Sequence, residues 1–97
     1  LRGLRKTIAA EEVLRDTLLR RNSDPNLWFL LSEIQKENLN VGGYHQSRAE
    51  YFILLGQSER ALNELQFALK LSQDNFQTYE IIMTKINSLR EKLNKRI

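Results

Sequence analysis

Over five segments, apolar and polar positions follow the period of an α-helix, and nowhere do they keep the two-residue alternation of a strand. In the first segment, residues 2–21, Leu4, Ile8, Ala10, Val13, Leu14 and Leu18 make a broad apolar face. It ends at Asn22-Ser23-Asp24-Pro25, because proline disfavours helix in the residue before it. Asp24 then predicts an N-cap and Pro25 a first helical position, which needs no amide donor. The second helix, residues 25–37, turns Leu27, Trp28, Leu31 and Ile34 inward. Residues 38–43 are the longest break, and Gly42-Gly43 is expected to supply left-handed backbone there. The third helix, residues 44–55, carries Tyr44, Ala49, Phe52, Ile53 and Leu55, and Gly56 predicts its C-terminal glycine stop. Ser58 predicts the cap of the fourth helix, residues 58–72, with Ala61, Leu62, Leu65, Ala68 and Leu69 inward. After Gln73-Asp74-Asn75, the fifth helix, residues 75–95, carries Phe76, Tyr79, Met83, Ile86 and Leu93, with Ile82 and Leu89 widening the stripe.

Short connections make consecutive helices antiparallel neighbours. Trp28, His45, Leu62 and Tyr79 stand 17 residues apart near the starts of their helices, and Gln35, Phe52, Leu69 and Ile86 follow seven residues later. Seventeen is half of the 34-residue tetratricopeptide period. The expected fold is therefore all-α: about five helices in antiparallel hairpins, stacked as a tetratricopeptide-like right-handed solenoid. Residues 1–97 form one domain, and the start Leu1-Arg2-Gly3, which has neither an initiator Met nor a signal-peptide core, reads as a piece of a longer protein.

The stretch from Ala49 to Ala68 resembles the tetratricopeptide signature, with Ala49, Phe52, Gly56, Ala61, Leu65 and Ala68 at the small, aromatic, glycine, small, large and small positions. Small residues let helices approach while Phe52 and Leu65 fill the gaps. Trp28, Leu31 and Ser32 resemble the opening of another unit. Arg48 stands where the repeat has an aliphatic residue, and His45 where it has Trp or another large apolar one.

A fuller likeness runs through Asp24-Pro25-Asn26-Leu27-Trp28, the block from Tyr44 to Phe52, Leu55-Gly56-Gln57, the block from Ala61 to Leu71, and the closing Ile86-Asn87-Ser88-Leu89-Arg90-Glu91. Over roughly residues 10–92 the chain resembles the C-terminal tail of the periplasmic zinc metalloproteases of the β-barrel assembly-enhancing type. These pair an HExxH protease domain with a tetratricopeptide tail. The resemblance implies a periplasmic protein–protein interaction module serving outer-membrane protein assembly and quality control. Its expected partner is a protein or peptide, with the outer-membrane β-barrel assembly machinery as the implied one.

Composition narrows the chemistry. Hydrophobic residues at 41% and charged residues at 28% mark an ordinary globular chain, and no apolar run reaches the ~18–20 residues that span a bilayer. Without cysteine there is no disulfide and no thiolate metal site. The net charge of +3 sits at the chain ends: residues 24–84 hold four basic and eight acidic residues. Nucleic-acid binding, which needs positive charge on one face, is thus not expected.

An HExxH zinc site needs two histidines, and His45 stands alone, so neither a catalytic nor a metal or cofactor site is expected; zinc would belong to the parent's protease domain. His45 is expected to pack or hydrogen-bond at the Gly42-Gly43 corner. Glu11 and Glu12 diverge by about 100° on a helix and are expected on a solvated face.

Binding is the remaining activity. The first helices of tetratricopeptide hairpins line a concave face, which carried over gives Phe29, Glu33, Lys36, Gln46, Glu50 and Ile53. Phe29 and Ile53 would be apolar anchors, and Glu33 and Glu50 would select a polar or basic ligand. An array cut at its ends exposes an apolar flank, which predicts homo-oligomers through the first or last helix. Two other readings stay open at this point: a cytoplasmic repeat scaffold with no protease parent, and a basic helical nucleic-acid binder.

Overall fold

The computed structural model describes residues 2–95, with the side chains of residues 6–95; Leu4's side chain lies outside the described residues. The chain is all-α. Helices α1 (Arg2–Arg20), α2 (Pro25–Glu37), α3 (Val41–Leu54), α4 (Ser58–Leu71) and α5 (Phe76–Lys95) follow one another, and close backbone packing joins consecutive helices only. No strand occurs among the described residues, and none of the helices is long and apolar enough to cross a membrane.

The core sits in α3, α4 and α5, where Ala49, Phe52, Ala61, Leu65, Ala68, Ile82, Ile86 and Leu89 form one buried cluster. The alanines leave no exposed surface, which brings α3, α4 and α5 close enough for Leu65, Ile82 and Ile86 to fill the space between them. Each of those three contributes roughly 1.5–3 kcal/mol by leaving water. In α5 the buried line is Ile82, Ile86 and Leu89, so the two residues expected to widen the stripe are its centre. Phe76 is 76% exposed: Asn75 Oδ1 accepts from Thr78 N–H at 3.1 Å and caps α5, which leaves Phe76 in the first turn, turned outward.

The ends of α2 lie where expected. Asp24 accepts the Asn26 N–H at 2.9 Å, and Pro25 opens the helix. Its C-terminus differs from expectation. The left-handed residue is Leu39 (φ 60°), and Gly42 and Gly43 are helical. Asn40 N–H donates to Gln35 C=O and Leu39 N–H to Lys36 C=O, the paired bonds that close a helix around one left-handed residue. Asn40 Oδ1 then accepts the Gly43 N–H at 3.1 Å, so α3 begins at Val41, three residues before the expected start. Gly56 (φ 75°) closes α3 with the same bond pair, Gln57 to Phe52 and Gly56 to Ile53. That turn is so short that Gln57 becomes the cap of α4, with no side-chain bond, and Ser58 is already helical. Leu55, expected inward, caps α3 and is exposed.

Helix α1 corrects two further expectations. Ile8 and Val13 are exposed, because α1 meets α2 along Leu14 and Leu18. Glu11 shares that inner side instead of facing solvent. Asn38 Nδ2 donates to its Oε1 at 2.8 Å, Asn40 Nδ2 to its Oε2 at 3.1 Å, and Arg15 approaches at 2.6 Å. The turn after α2 presents amide donors to α1, and a carboxylate satisfies them better than an apolar side chain. Burial alone would raise the Glu11 carboxyl, but the Asn38 bond, the Arg15 charge and the Asn40 bond outweigh it and hold it below its ordinary range.

Candidate functional site

A hollow of about 560 Å³ runs across one side of the molecule, and all five helices contribute to it. Its floor is Gln35 and Ser47, both buried, with Ser47 Oγ donating to Gln35 Oε1 at 2.6 Å. A buried amide and hydroxyl that satisfy each other can stay in the floor without water. Trp28 and Leu31 form the α2 wall, and Ile81 and Thr78 the α5 wall. Trp28 is held by donating from Nε1 to the Asn22 carbonyl at 2.9 Å. Gly43 gives the floor its depth: a Cβ there would come within 2.5 Å of Asn40 Nδ2 and 2.6 Å of Gln35 Nε2.

The charges of this hollow neutralise one another. Lys85 of α5 donates to Glu50 Oε1 of α3 at 2.7 Å, and Arg15 pairs with Glu11. The Glu50–Lys85 pair is partly exposed, and such pairs contribute about 0–1 kcal/mol, so a ligand's charges can replace it, whereas Glu11 is also held by Asn38 and Asn40. Between the apolar Trp28, Leu31, Leu71 and Ile81, the lining offers amides and hydroxyls suited to the backbone donors and acceptors of an extended segment.

Of the six residues expected to face a ligand, Gln46 and Glu50 line this hollow. Phe29, Glu33 and Lys36 lie about 130° round α2 from Trp28, Leu31 and Gln35, at roughly 100° per residue. Phe29 is exposed there and sets its ring 5.5 Å from Tyr51, while Glu33 and Lys36 face solvent. Ile53, a turn beyond Glu50, packs on the core. The residues missed by sequence reasoning are Arg15, Trp28, Gln35, Ser47, Ile81 and Lys85. Spacing carried a signal for two of them, since Arg15 and Lys85 each stand 35 residues from the expected Glu50, within one residue of the repeat period.

His45 lies elsewhere than expected. Its Nδ1 is 2.6 Å from Glu64 Oε2 on α4, not at the Gly42-Gly43 corner, and its ring stacks on Phe67 at 5.2 Å. Arg48 Nε donates to the other oxygen, Glu64 Oε1, at 3.1 Å, and its guanidinium lies 5.4 Å from the Tyr44 ring and 5.2 Å from Phe52. Burial would lower the Arg48 pKa, but the bond and charge of Glu64 outweigh it and raise it above the usual value. The two departures from the repeat pattern therefore share one carboxylate. No cluster of three or more His, Cys, Asp or Glu that could hold a metal ion exists among the described residues. Compared with family models, with curated proteins and with solved structures, the chain matches none.

Proposed function

We propose that this chain is a tetratricopeptide-like protein-interaction module that holds an extended segment of a partner in the 560 Å³ hollow and performs no catalysis itself. The observation that carries the reading is a repeat in burial. Leu18, Phe52 and Ile86, each 34 residues from the next, are all buried, as are Leu31 and Leu65, while all five helices contribute to one open hollow. A full-repeat period in the core beside one open face is what stacked hairpins produce.

The segment bound is extended and largely polar, because the lining offers amides and exchangeable charges, with apolar anchorage confined to Trp28, Leu31, Leu71 and Ile81. Peptides selected on the immobilised chain from a random displayed library test this. Replacing Gln46 and Lys85 with Ala should weaken them at least about tenfold with unchanged helicity, whereas replacing Phe29 and Glu33 should change nothing. The reverse pattern would move binding to the other side of α2 and overturn the groove.

The parent we propose is a periplasmic zinc metalloprotease of the β-barrel assembly-enhancing type, with the outer-membrane assembly machinery as the partner. The support is the residue likeness through the Asp24-Pro25-Asn26-Leu27-Trp28, Tyr44–Phe52 and Ala61–Leu71 blocks. The coding sequence upstream decides it: an HExxH helix with a third zinc ligand supports the parent, and its absence refutes it.

A further inference from the structure

A second hollow, of about 570 Å³, opens between α4 and α5. Its floor is Leu69, Met83 and Ile86, and its wall is Phe67, which is 52% exposed. Such exposure would normally leave a phenylalanine ring free to turn, yet this one is backed by His45, itself held by Glu64, which also binds Arg48. An aromatic side chain fixed in advance and left open has the form of a binding anchor, since little freedom is lost when it is covered. The charges at the rim are Lys70 and Arg90, and no carboxylate lines the hollow. Neither cation forms an ion pair among the described residues.

The repeat indicates the shape of what belongs there. Thirty-four residues before Met83 and Ile86 stand Ala49 and Phe52, which are buried in one cluster with Ala61, Leu65 and Ala68 of the following helix, α4. No described helix follows α5 to do the same for Met83 and Phe67.

We infer that the α4–α5 hollow is a second docking site, separate from the polar groove, for an amphipathic helix of a partner protein. That helix presents a seam of leucine and small residues to Phe67 and Met83, and carboxylates at its flanks to Lys70 and Arg90. Lodging an apolar helix face in an apolar groove is a recurring mode of recognition. Lys70, whose ammonium lies 6.0 Å from the Phe67 ring centroid, and Arg90, both without a carboxylate partner among the described residues, select against a basic one by like-charge repulsion.

The probes are two designed peptides of about five helical turns with the same leucine–alanine seam, one flanked by glutamates and one by lysines. The glutamate peptide should bind and shift the amide resonances of Phe67, Lys70, Met83 and Arg90, leaving Gln46 and Glu50 still. The lysine peptide should bind at least about tenfold more weakly. In K70E/R90E, which alters only exposed side chains, the preference should invert. Equal binding of the two peptides, or shifts centred on Gln46 and Glu50, would overturn the site. If Phe67 and Met83 instead shift on simple dilution of the chain without peptide, the occupant is a second copy and the assignment to a partner helix fails.

Discussion

Two hollows of nearly equal volume, 560 and 570 Å³, differ in nearly every other respect. The first draws on all five helices, is floored by a buried amide–hydroxyl pair, and carries charges already neutralised by Glu50–Lys85 and Glu11–Arg15. The second draws on two helices, is floored by apolar side chains, and leaves Lys70 and Arg90 without carboxylates. Volume therefore says little about what a surface takes. A groove with its own partners in place suits exchange of one polar set for another. An apolar slot with open charges gains by being covered, as buried apolar area is worth roughly 25 cal/mol per Å².

The largest effect should erase the distinction altogether. Leu65 is buried at the centre of the shared core, and Leu65→Ala should cost about 2–5 kcal/mol, measured by urea unfolding. Both hollows should suffer; a loss below 1 kcal/mol would mean that the core is not packed as described. Glu64→Gln should separate the regions. Removing the carboxylate shared by His45 and Arg48 should cost roughly 1–2 kcal/mol and loosen the Phe67 wall, weakening the slot while the polar groove keeps its affinity.

The paired glycines sharpen the contrast from the groove side. A Cβ on Gly42 meets nothing within 4 Å, and one on Gly43 collides with the Asn40 cap and Gln35. Gly42→Ala should therefore stabilise and Gly43→Ala destabilise, with about 2 kcal/mol between their unfolding free energies. Equal behaviour would show that the Asn40–Gln35 contact yields freely. Leu39 touches neither hollow, is 84% exposed, and carries a left-handed backbone; Leu39→Gly should stabilise by about 1 kcal/mol without changing either site.

The smallest effect is one of pH. The Glu11 pKa is lowered on folding from about 4.5, so its contribution is complete above that value and is lost as pH falls below it. Urea midpoints of the native chain should thus fall more steeply below pH 4.5 than those of Glu11→Gln; parallel curves would remove Glu11 from the account.

How much could be read from the chain depended on whether the deciding interaction was local. Asp24-Pro25 specifies the start of α2 within three residues, and that boundary was legible. Gly56 likewise announced the end of α3. Gly42-Gly43 misled, because propensity marks glycine as a break while the Asn40 cap and the Gln35 and Lys36 carbonyls had already closed one helix and opened the next. The left-handed position then fell on Leu39, for which nothing in its composition speaks. Glu11 looked solvated because its partners, Asn38 and Asn40, lie 27 and 29 residues away. Gln46 and Glu50 line the hollow, and period and helix assignment agreed on α3. The α2 positions fell on its other side, since neighbouring antiparallel helices do not turn corresponding faces to one groove.

The Glu50–Lys85 bridge ties the third helix to the fifth, although their backbones do not pack closely together. Such a tie limits how far α3 and α5 can move apart. At about 0–1 kcal/mol it is comparable with thermal energy, so a bound segment that takes over either charge also changes the tension. Filling the proposed groove would then also free α3 and α5 to shift against each other.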